Sequence, residues 1–350
     1  MEREKHSAES IMGLICQLPR AERAKLQRML IGSQVNALDL ETYLTQRRFA
    51  DGRVCPICGG THVLRNGRRR SGAQKFICKD CGKTFSISKN TVFSGTRKGL
   101  AVWMEYLNCM AEGLSLDKSA ERCGITHSTA FAWRHKILDA IGKDAEGDSL
   151  AGIVEADETF LPVSYKGDRR AESKERPSRK RGGEIHRRGL SDEFVCIPCA
   201  IDRRGNALSK VAKLGRCSTQ AVDVVLGGRI DQQATLCTDG DAAYRRFSRA
   251  NGHTLVQIKG GRGTVKGIYH IQHLNAYLRT LKDFLRWFKG VSTKYLNNYL
   301  TWNNTAMHGG GSLTEKLNAL LERIMAVFFE ETCRQIPIRP PVPVLVKNQS

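Results

Sequence analysis

No run of eighteen apolar residues occurs in this 350-residue chain, so no segment is apolar for long enough to span a bilayer as a helix. The opening residues, MEREKHSAES, lack the apolar stretch of a secretory signal. Those two absences predict a cytoplasmic protein with no membrane partner, in a compartment where thiols stay reduced. Acids are scarce as well: 35 Asp and Glu stand against 56 Lys and Arg, a formal net charge of +21. A field of that sign repels basic partners and draws polyphosphates, which puts nucleic acid first among partner classes. A basic soluble or ribosome-associated protein is the blander reading of the same charge. Apolar residues are not scarce. At 41% they exclude disorder throughout, and the length suits about two or three domains.

Four of the twelve cysteines, Cys55, Cys58, Cys78 and Cys81, form two C-x2-C knuckles with nineteen residues between them. A two-residue gap lets both thiolates of a knuckle point at one tetrahedral ion, so the pattern predicts a zinc ribbon holding structural Zn2+. Gly59, Gly60 and Gly82 follow the knuckles and permit tight turns that aim amides at sulfur. Between the knuckles, VLRNGRRRSGAQKFIC reads as a hairpin turning at Asn66-Gly67, its tip bearing Arg65, Arg68, Arg69, Arg70 and Lys75. Stapling a small domain is one role for such a ribbon, and holding DNA phosphates with its arginines is a second. Cys196 and Cys199 make a third C-x2-C, in FVCIPCAID, with no second knuckle nearby. They read as core residues, as do Cys16, Cys109, Cys123 and Cys237.

The rest of the chain divides by texture. Residues 1–50 form a helical N-terminal segment, with helices around Ile11–Leu18 and Arg20–Leu30 and a more polar stretch to Phe49. The ribbon occupies 51–90. Residues 97–145 have a helix-turn-helix outline: Leu114–Cys123, a turn at Gly124-Ile125, then Thr126–Ile141. Ser128 and Thr129 sit where side chains reach base edges, with Arg134 and Lys136 following toward phosphates; plain three-helix packing is the alternative. Residues 150–305 read as strand, strand, strand, helix, strand, helix, strand, helix, an α/β mixed sheet with helices on its faces. Between its first two strands a loop, 164–193, carries Arg179, Lys180 and Arg181 and almost nothing apolar, which suits a DNA clamp. Residues 306–350 hold a helix, Ser312–Cys333, and a proline-rich tail, read as a docking or oligomer segment.

Two aspartates stand at strand ends in that sheet: Asp157 in V-E-A-D-E-T-F and Asp239 in L-C-T-D-G-D-A. Acids placed there cost desolvation energy unless a cation neutralises them, and adjacent strand ends suit Mg2+ with its carboxylate and water ligands. One strand-end aspartate is ordinarily a turn cap; two in a mixed sheet on so basic a chain point to metal-assisted phosphodiester chemistry, with two ions. No glutamate occurs from Tyr269 to Trp302, where a third ligand belongs. Asn275 is the best candidate, with Lys282 seven positions on and therefore on the same helix face. Asp283 is a weaker substitute. The alternative for Asn275 is a hydrogen bond within the fold.

With these residues in place the chain resembles the bacterial insertion-sequence transposases that join a zinc ribbon to a DDE-type, ribonuclease H-like catalytic domain. The resemblance rests on C-P-I-C-G and C-K-D-C-G-K-T-F, V-E-A-D-E-T-F, R-K-R-G-G with R-G-L-S-D-E, C-T-D-G, Y-H-I-Q-H-L-N-A-Y-L-R-T-L-K and F-K-G-V-S-T-K-Y-L-N-N-Y-L-T-W, over roughly residues 50–303. In that family the third ligand is Glu or Asn, with a basic residue seven positions later. The resemblance therefore implies Asp157, Asp239 and Asn275 as metal ligands, Lys282 as the accessory base, and an accessory place for His270. His273 stands where an Asn is more usual. It also implies binding of the element's terminal inverted repeats as double-stranded DNA, cleavage and strand transfer through Mg2+, and at least a dimer at the nucleoid. The rival expectations are an inactive or repurposed copy serving as a DNA-binding regulator, and a plain ribonuclease H-like nuclease or resolvase.

Overall fold

A computed structural model describes residues 40–50, 52–69, 74–167, 188–258, 267–329 and 332–346. The predicted helices Ile11–Leu18 and Arg20–Leu30, the tip residue Arg70, and Arg179, Lys180 and Arg181 of the basic loop lie outside the described residues. The more polar stretch before Phe49, within the segment read as helical, is helix α1 (Leu40–Arg48), with Leu40 and Leu44 buried one turn apart.

The ribbon is a three-stranded antiparallel sheet in the order β1 (Val63–Arg68), β2 (Gln74–Cys78), β3 (Thr84–Ser86). Its hairpin does not turn at Asn66-Gly67. β1 runs through both residues, and the register slips by one between Arg65↔Phe76 and Arg68↔Gln74. Gly67, at φ +64°, absorbs the extra residue as a bulge, so the Asn-Gly signal is used inside the strand and the chain reverses beyond Arg68. Phe76 stacks on Phe85 at 5.7 Å and meets Phe49 edge-on at 5.1 Å, joining ribbon to α1.

Three helices follow: α2 (Leu100–Ala111), α3 (Leu116–Arg122) and α4 (His127–Asp144). Ser115 and Thr126 cap α3 and α4, accepting from Lys118 N and Thr129 N, each cap being worth about 1 kcal/mol. Trp103 stacks on Trp133 with centroids 3.6 Å apart, and the Tyr106 hydroxyl donates to Ala130 O, so α2 and α4 share a dry aromatic seam.

The sheet domain orders its strands β6-β5-β4-β8-β9, with β7 also on β5. These are β4 (Ile153–Pro162), β5 (Phe194–Asp202), β6 (Ala207–Ser209), β7 (Lys213–Leu214), β8 (Thr235–Thr238) and β9 (Thr254–Gln257). β4 pairs antiparallel with β5 but parallel with β8, which pairs parallel with β9. The sheet is mixed, as a ribonuclease H-like domain requires. Alternation along β4 sends Val154 and Ala156 into a core with α5 (Thr219–Leu226) and α6 (Ala242–Asn251). The other face is covered by α7 (Gln272–Trp287), whose Leu274, Tyr277 and Leu281 join a core continuous with the three-helix unit and the ribbon.

Beyond α8 (Leu296–Trp302), helix α9 (Leu313–Ala326) starts at a Ser312–Glu315 capping box. The predicted helix ran on to Cys333, seven residues too far. Leu317, Leu320, Leu321 and Ile324 of α9 are buried, and Arg323 bridges Asp144 at 2.8 Å and Asp148 at 2.6 Å. Its apolar stripe fits against α2 and α4, so this element helps close the chain's own core. Among the described residues no helix is long and apolar enough to cross a membrane.

Candidate active site at the parallel strand ends

Asp157 and Asp239 are neighbours by register. Glu155 pairs with Cys237 across β4 and β8; Asp157 lies two residues further along β4, and Asp239 two residues beyond Cys237, just past the end of β8. Parallel strands are about 4.8 Å apart, so the two carboxylates emerge side by side. Their repulsion is felt. Burial first, with Asp239 and Asp241 adding to it, raises the Asp157 carboxyl to about 6, against the Glu158 N–H, which donates to Asp157 Oδ1 at 2.8 Å. Glu158 is pushed up to about 7, by burial and then by Asp157, Asp241 and Asp239. Asp239 is exposed, and its Oδ1 accepts the Asp241 N–H at 3.0 Å, so the turn-cap role holds for one of its oxygens. Asp241 in turn caps α6 through Ala243 N at 2.6 Å.

Helix α7 lies over the same face. Cys199 pairs with Asp157 on β5; burial raises its thiol, Asp157 and Glu158 add to that, and the Lys282 ammonium opposes it. Lys282 therefore sits within electrostatic reach of the Asp157 position. Asn275 is exposed on the first turn of α7, one residue beyond Leu274, whose N–H donates to Glu155 Oε2 at 2.9 Å. Its side chain makes no hydrogen bond among the described residues, which leaves the amide oxygen open. Carboxylate and amide oxygens are hard donors of the kind Mg2+ takes. Glu158 Oε2 and Thr238 Oγ1, each one residue from an aspartate, are buried and unpartnered among the described residues.

The four ribbon cysteines converge. Cys55 Sγ lies 3.8 Å from Cys81 Sγ, and Cys58 Sγ 3.7 Å from Cys78 Sγ. A thiolate tetrahedron about 2.3 Å from zinc has edges of about 3.8 Å, so the set fits structural Zn2+. Ile57 N and Gly60 N each approach a knuckle sulfur at 3.4 Å, the amide turns that the glycines permit. Cys109, Cys123, Cys196, Cys199 and Cys237 are buried core residues, as read from the sequence.

The expected DNA-facing residues divide. Arg68 and Arg69 are exposed at the end of β1, and Ser128 is exposed at the start of α4, with Thr129 half-buried against Thr126. Arg134 and Lys136 do not face outward. Arg134 is 0% exposed, donating to Leu114 O at 2.7 Å with its guanidinium 4.9 Å from the Trp302 ring centroid. Lys136 is buried with Nζ 2.9 Å from Ser94 O, and burial lowers its pKa. Residues two apart point to nearly opposite sides of a helix, and α4 is enclosed on both sides here, every residue from Trp133 to Leu138 being buried, so neither faces solvent to meet phosphate. Sequence reasoning also passed over Glu155 and Arg203. The only available signal was a glutamate flanked by Val154 and Ala156, in phase with Asp157 two residues on.

Asp157 stands inside β4 and not at its end as the sequence suggested, because pairing with β5 carries the strand on to Pro162. A zinc ribbon joined to a mixed-sheet domain with neighbouring aspartates on β4 and just past β8 defines a class: the insertion-sequence transposases that couple a ribbon to a DDE-type domain. This chain belongs to that class. Residues 149–302 match the ISXO2-like transposase domain, and residues 39–84 match the transposase zinc-ribbon domain. Over 262 residues the chain is 28% identical to a protein of Halobacterium salinarum described as an uncharacterized protein in transposable element ISH50. That stretch covers 73% of this chain and 86% of the relative.

Proposed function

We propose that the protein is a transposase that binds the terminal inverted repeats of its insertion sequence and catalyses cleavage and strand transfer of the ends. The observation that carries this reading is the Asp157–Asp239 pair on neighbouring parallel strands, beneath the helix that presents Asn275 and Lys282. Asp157, Asp239 and Asn275 would hold Mg2+, as two ions. When bound, the metal neutralises the developing phosphorane charge and makes water or a 3′-hydroxyl a stronger nucleophile. The two aspartates supply the negative charge that selects a cation, and Asn275 completes the sphere without adding more. Lys282, a mobile point charge, holds the phosphate entering beside them.

The same reading assigns double-stranded DNA recognition to Arg68, Arg69 and the ribbon tip, and to the α4 start at Ser128 and Thr129 as a helix-turn-helix. Joining two element ends requires at least two copies of the chain, working on DNA in the cytoplasm. Incubating the full chain with an element-end duplex and Mg2+ tests the proposal. Nicked ends and strand-transfer products are expected from the wild type, and Asp157→Ala should lose both while retaining duplex binding. Persistent activity in that variant would show that the acid is misassigned. Intact binding with no cleavage by the wild type in Mg2+ or Mn2+ would leave a DNA-binding regulator, the reading that a neutral Asn275 favours.

A further inference from the structure

Glu155 is an almost fully buried carboxylate two residues from Asp157, with 1% of its side chain exposed. A buried anion is tolerated only when its oxygens are fully partnered. Oε2 accepts the Leu274 N–H at 2.9 Å. Oε1 lies 3.0 Å from Arg203 Nη1, 2.9 Å from His273 Nδ1 and 3.3 Å from His270 Nδ1. Arg203, just past β5, also reaches His270 Nε2 at 2.8 Å, His273 Nδ1 at 2.6 Å and, through Nη2, Ile268 O at 3.0 Å. One carboxylate thus ties together β4, the end of β5 and the approach to α7.

The helix needs that tie. The residue that would cap α7, Ile271, has no side chain able to accept from the first turn. Four N–H groups at such an end seek acceptors, and a negative charge there is favoured by the helix dipole. Glu155 supplies both from a different strand, at Leu274, the residue before Asn275. Two residues along β4 in the same phase stands Asp157. The two proposed ligands are therefore each anchored to the same buried side chain, one through two residues of strand and one through a single helix residue.

We infer that Glu155, held by Arg203, is a positioning residue that sets the register of α7 on β4 and so places Asn275 against Asp157; this rests on the metal-ligand reading above. The ligand atoms of Glu155, His270 and His273 lie within 4.8 Å of one another, as a metal site of their own would require. The Arg203 guanidinium, however, already sits within 3.0 Å of an atom of each, a fixed positive charge where the ion would have to be. The cluster is a clamp with an internal cation.

The test measures Mn2+ binding to the full-length protein by isothermal titration, beside zinc content, duplex affinity and thermal melting. Glu155→Ala should weaken Mn2+ binding by about 10- to 100-fold, the range for groups that orient metal ligands, and raise the Mg2+ concentration for half-maximal cleavage in step. Zinc should stay at one per chain and duplex affinity should be unchanged. Glu155→Gln keeps an oxygen for Leu274 N–H and should recover most of the loss; Arg203→Lys should fall between the two. If Glu155→Ala does not fold, the Gln and Lys variants decide, since both keep the packing. Unchanged Mn2+ affinity in a folded variant overturns the inference, as does Gln behaving no better than Ala. Loss of a second bound transition metal on Glu155→Ala would overturn it in favour of a metal site. Wild-type Mn2+ binding in Asp157→Ala would instead overturn the ligand reading, a separate result.

Discussion

His135 shows how far a single residue departs from its solution chemistry here. Its ring is wedged between Phe131 at 4.5 Å and Tyr295 at 4.4 Å, and neither nitrogen has a hydrogen-bond partner among the described residues. Burial, followed by Arg339 and Arg134, lowers its pKa to about 3. The folded state therefore refuses a proton that the unfolded chain takes up near 6.5. Stability contributed by the neutral ring is complete above 6.5 and lost as pH falls toward 3, by about 1.4 kcal/mol per pH unit for one proton. His135→Phe should flatten that part of the pH dependence in denaturant titrations; an unchanged slope would mean the ring is already accessible. Arg134 and Arg69 offer a second contrast at this scale. Arg69→Ala should lower the slope of log affinity against log salt by about one, the signature of a lost phosphate contact. Arg134→Ala should leave that slope alone and reduce thermal stability, because its guanidinium packs on Trp302 inside the protein.

At the level of elements, most of the sheet domain was legible. The turn at Arg204-Gly205-Asn206 and the helices capped by Ser218 and Asp241 fall where the sequence puts them, because caps, turn residues and period-2 alternation are local signals. The misreadings share one cause. Asn66-Gly67 serves a bulge, and α9 stops at Ala326, since a partner strand or packing surface outweighs the local preference. The C-terminal helix carries its own prediction. Leu320, at 0% exposure, covers the α2–α4 seam, so Leu320→Ala should cost about 2–5 kcal/mol in chemical denaturation. A cost near zero would mean that α9 docks only loosely.

On the scale of the whole molecule, ribbon, helices, the α7 face of the sheet and α9 share one continuous core. The ribbon is thus held in a fixed relation to β4 and α7. By itself the sequence determined the zinc knuckles, the order of strands and helices, and the two aspartates, because spacing, periodicity and charge are written along the chain. Only the tertiary structure decided which basic residues face outward and which acid caps the helix that carries Asn275. Arg134 and Lys136 are buried because α4 is surrounded on all sides over Trp133–Leu138, and Glu155 caps α7 across 119 residues of sequence, a pairing that exists only once β4 and α7 have met. Local pattern records what a residue can do; its partner is set by the packing of elements distant in the chain.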